Sequence, residues 1–265
     1  MAEYGTVTAE IVAELAGIVG QKAVIYGQPE RMLSYAHDEV AGEEHAHMPD
    51  VVVKPEAAAQ VADVMRLANR ERIPVTPRGG GTGLSGGAVP VRGGIVLSVE
   101  RLNRILEVDR ENMTITVEPG LITNEINLAV EKLGLFYAGY PMSLESCFVG
   151  GNVAENAGGG RAIKYGVTGR YVLGLEVVLP SGEIVQLGGK RVKDVTGYDL
   201  LHLMVGSEGT LGIFTQVTLR LLPTPAARAV LLVPFADVPT AIAAVPRVMT
   251  LAHLVPASVE FMDRL

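Results

Sequence analysis

The chain is short of cysteine, of basic charge and of long apolar runs, and each shortage excludes something. Cys147 is the single cysteine among 265 residues. One thiol cannot close an internal disulfide, hold an iron–sulfur cluster or complete a structural zinc site. Acidic residues outnumber basic ones, 29 against 22, for a formal net charge of −7. Nucleic-acid binding needs a basic face that neutralises phosphates, so that partner is not expected. No apolar run approaches the roughly 18 residues of a membrane span. The first 20 residues include Glu3, Glu10 and Glu14 and no basic residue, unlike a signal peptide. The expectation is a soluble, cytoplasmic protein, and 48% hydrophobic content suits one or two globular domains.

Glycine is what the chain has in excess. There are 31 glycines, and they gather at 79–87, 93–94, 150–151, 158–160 and 206–212. Clustered glycine marks backbone that takes positive φ or lets another group approach closely.

Along the chain, Ile11, Leu15 and Ile18 place one apolar face on an N-terminal helix, and a polar segment follows to residue 48. Val51 to Val53 reads as a buried strand. Residues 56–73 read as an amphipathic helix with Val61, Val64, Met65 and Ala68 inward, and residues 73–77 as a second strand. This β-α-β unit opens an α/β subdomain. Residues 94–99 continue it, as does a strand pair turned at Asp109 to Asn112. Thr123 is a plausible N-cap for a helix over 123–134. A hairpin turned at Pro180, Ser181 and Gly182 follows, and then a long strand or strand pair over 209–223. Residues 229–265 read as a strand, a helix and a strand.

Within residues 77–90, Gly81-Thr82-Gly83-Leu84-Ser85-Gly86 satisfies the G-x-G-x-x-G pattern. A Rossmann loop opens a helix whose N-terminus holds the pyrophosphate. Here Gly86, Gly87 and Pro90 forbid that helix, so the segment runs strand, loop, strand. Successive glycine amides can still make a concave nest of donors around a pyrophosphate, with Thr82 and Ser85 adding hydroxyls. The plainer alternative is a glycine-rich hairpin without a ligand.

This loop, together with residues 141–160, 164–180 and 189–223, resembles the vanillyl-alcohol-oxidase (PCMH-type) family of FAD enzymes. Within it the nearest subgroup is that of the FAD-linked glycolate and D-lactate dehydrogenases. The resemblance runs in order from about residue 35 to 225. It implies an α+β fold: a helical segment over 1–48, a two-subdomain FAD-binding domain over 49–225, and at 226–265 the incomplete start of a ferredoxin-like cap domain.

The resemblance also implies roles. Arg78, Gly79, Gly80, Gly81, Thr82 and Gly83, with Leu84, Ser85 and Gly86, would wrap the FAD pyrophosphate and ribityl chain. Pro141 and Met142 would lie near the isoalloxazine ring. Ser146, Gly150, Gly151 and Asn152 would donate to the flavin and diphosphate. Asn156, Ala157 and Gly158 would line the ring, and Tyr165 and Gly166 would complete the wall. Glu208, Gly209, Gly212 and Ile213 would bind the adenine and ribose end. Members that tether FAD covalently use a histidine in the first loop. None lies between residues 77 and 90, so non-covalent FAD is expected. The spacing of Asn152 and Asn156 points to a short helix presenting amides to a ligand.

The expected reaction is oxidation of a small 2-hydroxy acid of the glycolate or lactate type to the 2-oxo acid. Electrons would pass to an iron–sulfur or electron-transfer-flavoprotein partner. A different FAD chemistry on this fold, such as that of an alkyl-dihydroxyacetone-phosphate synthase, and a non-catalytic FAD module are the alternatives. Other candidates read as bland: Cys147 as a small buried filler, Asp38 and Glu39 as surface polar residues rather than a base, and His37, His45 and His47 as exposed loop rather than metal ligands. Lys190, Arg191 and Lys193 could attract an anion or merely edge a sheet. Tyr198 and Asp199 read as a turn into a helix. No catalytic base and no metal site can be named.

Overall fold

The computed structural model describes residues 4–263. Two sheets carry two apolar cores. The first sheet has the order β1 (Val24–Ile25), β2 (Val51–Val53), β4 (Ile95–Ser98), β3 (Val75–Arg78). β2, β4 and β3 are parallel, and β1 runs antiparallel on the edge. β2 and β4 are buried at every position, which is why Val51 to Val53 and Ile95 to Leu97 are unbroken apolar runs rather than alternating ones.

Helix α3 (Ala58–Glu71) covers this sheet, turning Val61, Val64, Leu67 and Ala68 inward and ending at Arg72 in the left-handed region. Helix α1 (Ala9–Val19) is capped by the Thr8 hydroxyl and packs Leu15 and Val19 into the same core. The N-terminal stretch was expected as a separate helical segment. Instead it supplies both a helix and the edge strand β1 to the first core; a two-residue strand has no alternation to reveal it. The short helix α2 (Pro29–Met32) follows, and Met32 packs under the sheet's other face with Ile25 and Val96.

The second sheet is antiparallel, in the order β5 (Ile105–Asp109), β6 (Thr114–Val117), β10 (Ile213–Arg220), β8 (Val172–Val178), β9 (Ile184–Gly188). β10 is therefore one long central strand, and its alternating burial puts Val217 and Leu219 inward. Helices α4 (Thr123–Val130), α5 (Val149–Glu155) and α7 (Leu200–Met204) bury Ile126, Val153 and Met204 against this sheet. A two-stranded piece, β7 (Leu135–Phe136) with β11 (Leu222–Pro223), and the one-turn helix α6 (Ala162–Tyr165) complete it. Val178 and Ile213, at the ends of β8 and β10, belong to the first core, so the two subdomains meet there. Arg66 and Asn69 of α3 seal the junction by donating to the carbonyls of Gly182 and Pro180.

Two local expectations change, those at Thr123 and at 229–265, and the plainer alternative for the glycine loop falls. Thr123 does not cap α4: its hydroxyl is buried and donates to the Cys147 carbonyl, 3.1 Å away. The glycine loop is not a hairpin, because β3 and β4 are parallel and residues 79–94 must carry the chain back along the sheet. Of the strand-helix-strand expected at 229–265, only helix α8 (Val238–Thr250) forms. Val230, Leu231 and Leu232 are more than four-fifths exposed. A strand forms only when another strand pairs with its backbone, and no described residue does so there. Among the described residues no helix is long and apolar enough to cross a membrane.

Candidate FAD-binding site

The glycine loop leaves the carboxyl end of β3, where parallel sheets place ligands. A cleft there is lined by Arg78 and Gly79 from the loop, Gly150 and Gly151 from α5, and Glu208, Gly209, Gly212 and Ile213 from the approach to β10. Three sequence-distant segments named as candidates are thus one site. The cleft continues into a larger cavity of about 660 Å³ between β3, the loop and residues 208–213. The floor is tight. A side chain at Gly79 would meet the Gly151 backbone at 3.5 Å, and one at Gly80 would meet the Ser146 carbonyl at 2.8 Å.

The loop offers donors. Among the described residues, no group accepts from the backbone N–H of Gly79, Gly80, Gly81, Thr82, Gly83 or Leu84. Backbone donors are almost always paired in a folded chain, so a run of six open ones beside a cleft fits an anion such as a pyrophosphate. The Ser85 hydroxyl donates to Glu155, 2.9 Å away.

Arg78 is placed differently from expectation. The residue is 7% exposed, and its guanidinium lies under the loop. It donates to the carbonyls of Ser34 (2.7 Å), His37 (2.8 Å) and Ala88 (3.4 Å) and stacks on the Tyr35 ring at 5.6 Å. It supports the loop instead of wrapping a ligand. Burial pushes its pKa down, opposed by Tyr35, Asp38 and Glu100. Beside it, burial pushes Glu100 up. The Lys54 ammonium and the Tyr35 and Ser98 hydroxyls outweigh this and hold it below the usual carboxylate range. Asp38, read as surface, is buried at 5% exposure, with both oxygens accepting backbone N–H groups.

In the 141–169 segment several expected donors are already engaged. The Asn152 amide does not face a ligand. It is buried and donates to the Thr123 hydroxyl at 2.6 Å and to the Cys147 sulfur at 3.4 Å, because α5 turns this position toward α4. The Gly150 N–H donates to Pro119, and that of Ser146 to Ser143. Asn156 ends α5 in the left-handed region, and its side-chain Oδ1 accepts from the Gly169 N–H. Ala157 hydrogen bonds with Asn152 and Thr168. Pro141 is buried, while Met142 is 85% exposed and Gly158 is also exposed. The Tyr165 ring packs edge-on against Phe136 at 5.7 Å, and Gly166 follows in a positive-φ turn. Of these residues Gly150 lines the cleft, whereas Pro141, Met142, Ser146, Asn152, Asn156, Ala157, Gly158, Tyr165 and Gly166 line neither it nor the larger cavity.

Elsewhere, Cys147 is a buried thiol. Asp199 caps α7 through the His202 N–H. Lys190 pairs with Glu107 and Asp109, and Arg191 with Asp194. Gly87, Pro119, Ala154 and Glu155 also line the cleft. Only Gly87, inside the glycine run, carried a sequence signal; the others arrive through tertiary contact.

Residues 49–188 match the model of a family described as "FAD binding domain". The chain is 45% identical over 232 residues to glycolate oxidase subunit GlcD of Bacillus subtilis, covering 88% of this chain and 49% of that protein. It is 41% identical over 262 residues to D-lactate dehydrogenase of Anaerostipes hadrus, covering 99% of this chain and 54% of that one. The chain thus spans about half the length of these curated relatives. Among solved structures it resembles an alkyldihydroxyacetonephosphate synthase, with a TM-score of 0.72 and 25% identity over 85% of this chain and 46% of the other. It resembles equally the 4-ethylphenol oxidase of Gulosibacter chungangensis, with a TM-score of 0.70 and 25% identity over 85% and 45%. The fold is the PCMH-type, vanillyl-alcohol-oxidase FAD-binding fold, and the chain belongs to the FAD-binding domain family.

Proposed function

We propose that this chain is the FAD-holding portion of an oxidoreductase that converts a 2-hydroxy acid of the glycolate or lactate type to the 2-oxo acid. The observation that carries the FAD site is the run of open backbone donors at Gly79 to Leu84 beside the cleft. The substrate class rests on the likeness to glycolate oxidase subunit GlcD and D-lactate dehydrogenase. Residues 49–225 are the FAD-binding unit in this reading, and 226–265 begin a substrate-side cap.

Bound FAD supplies a two-electron acceptor. The protein's part is to hold it. The loop N–H groups take the pyrophosphate, and Gly209, Gly212 and Ile213 lie along the adenine and ribose end. The small residues Gly150, Gly151 and Ala154 allow close approach. Binding is non-covalent, since the loop has no histidine to form a tether. In this reading electrons pass onward to an iron–sulfur or electron-transfer-flavoprotein partner.

The likeness to alkyldihydroxyacetonephosphate synthase supports a second reading, an FAD chemistry other than hydroxy-acid oxidation. The experiment is to reconstitute the chain with FAD, precipitate one portion with acid, and add glycolate, D-lactate, L-lactate and D-2-hydroxyglutarate anaerobically to the rest. Flavin in the acid supernatant is expected, and colour held in the washed pellet refutes non-covalent binding. Loss of the visible flavin absorbance with one hydroxy acid supports the oxidoreductase. Flavin that binds but is bleached by none is the outcome of the second reading, of a non-catalytic module, or of a substrate-side cap that 226–265 only begins.

A further inference from the structure

The segment 34–40 has no role in the FAD reading, yet it is fastened to the glycine loop at several points. Asp38 Oδ2 accepts from the Gly86 N–H at 2.8 Å, and Oδ1 accepts from the Val40 N–H at 3.0 Å. The Glu39 N–H donates to the Gly83 carbonyl at 3.0 Å. From below, Arg78 grips Ser34 and His37 on one side and Ala88, at the far end of the loop, on the other. Tyr35, over which Arg78 lies, is fixed by Glu100 at 2.9 Å, and Glu100 is held in turn by Lys54 at 2.7 Å. Gly81 sits so close over the guanidinium that a Cβ there would strike it.

A loop this rich in glycine has much freedom to lose. Ordering its backbone carries an entropic cost at every residue, largest for glycine. A ligand that had to order it would bind weakly, whereas one meeting an ordered loop would not.

We propose that Asp38 and Arg78 are positioning residues for the FAD pyrophosphate: without touching it, they hold the glycine loop with its N–H groups open before the ligand arrives. This rests on the FAD reading above. Asp38 acts on the second half of the loop through Gly86, and Arg78 acts on both ends. Their opposite charges offset one another in a site where either alone would be costly to bury.

The test uses the 265-residue chain freed of flavin, as wild type and as Asp38→Ala, Asp38→Asn and Arg78→Lys. FAD affinity is measured by titration, and amide exchange of the flavin-free proteins by NMR. Asp38→Ala is expected to raise the FAD dissociation constant roughly 10- to 100-fold, the loss of charge-assisted bonds to the loop. Asp38→Asn keeps an amide oxygen that can accept one of the two N–H groups and falls between. Arg78→Lys keeps the charge, loses the fork, and also weakens binding.

The reporters are the Glu39 and Val89 amides, whose acceptors are the loop carbonyls of Gly83 and Gly86 rather than Asp38. They should exchange faster in all three variants, while amides of β4 and β10 keep wild-type rates. Wild-type affinity and wild-type Glu39 and Val89 exchange in both Asp38 variants would overturn the proposal. So would uniformly faster exchange that includes β4 and β10, which marks a general loss of stability. A wild-type chain that takes up no FAD sinks the functional reading instead, and the exchange rates still decide whether Asp38 and Arg78 order the loop.

Discussion

Replacing Gly81 by valine tests the glycine loop at its most constrained point. Gly81 has φ of +71°, and a Cβ there runs into the Arg78 guanidinium. The left-handed conformation costs a residue with a side chain about 1–2 kcal/mol, and more when it is β-branched. Arg78 cannot simply step aside, because it is buried and bonded to three carbonyls. Giving up one such bond costs about 1.5–3 kcal/mol. Together the penalty is roughly 3–5 kcal/mol. In the flavin-free protein the loop can relax to another conformation and avoid most of it, so the cost falls on binding. FAD affinity should drop between about a hundredfold and a few thousandfold, at 1.4 kcal/mol per decade, while the thermal midpoint without flavin changes little. Gly134→Val is the control. It shares φ of +71° but has open space where the side chain would go and lies away from the cleft. It should lower stability by about 1–2 kcal/mol and leave FAD affinity alone. Titration of the flavin-free proteins with FAD, followed by flavin fluorescence, reads both. An FAD affinity within about threefold of wild type in a folded Gly81→Val protein would refute the loop as the phosphate cradle.

Two further outcomes test the support beneath the site. Glu100→Gln should destabilise the fold by about 1–3 kcal/mol at neutral pH by breaking the Lys54 ion pair. Because the folded-state pKa of Glu100 is depressed, its contribution is present above the ordinary carboxylate pKa near 4.3 and is lost as pH falls through the lower folded value. The gap between variant and wild type in a thermal-midpoint series should therefore narrow below about pH 4; a gap that widens there contradicts the assignment. Leu15→Ala should cost about 2–5 kcal/mol in denaturant unfolding, since Leu15 is fully buried in the first core. A cost under about 0.5 kcal/mol, typical of surface positions, would show that α1 is a detachable segment.

Much of this protein follows from its chain read locally. The period of Val61, Val64 and Ala68 specifies α3, the all-apolar runs at 51–53 and 95–97 specify central parallel strands, and Gly86, Gly87 and Pro90 rule out a helix after β3. The crowding of glycine at 79–87 marks a cradle because only that residue leaves so many N–H groups bare and so little side chain in the way. What local reading cannot supply is which distant groups meet. Arg78 looks like a ligand-binding cation until the fold buries it under segment 34–40. Asp38 looks like surface until the Gly86 N–H reaches it across 48 residues of sequence. Asn152 sits at a spacing that suits a ligand, but the rotation of α5 against α4 turns it toward Thr123. The apolar runs near 230 and 260 have the composition of strands, yet strand formation is a property of a pair and no described residue pairs with them. Composition and period act through each residue's own backbone and neighbours three or four positions away. Burial, pairing and the direction of a side chain are decided by contacts that exist only once both sheets have assembled.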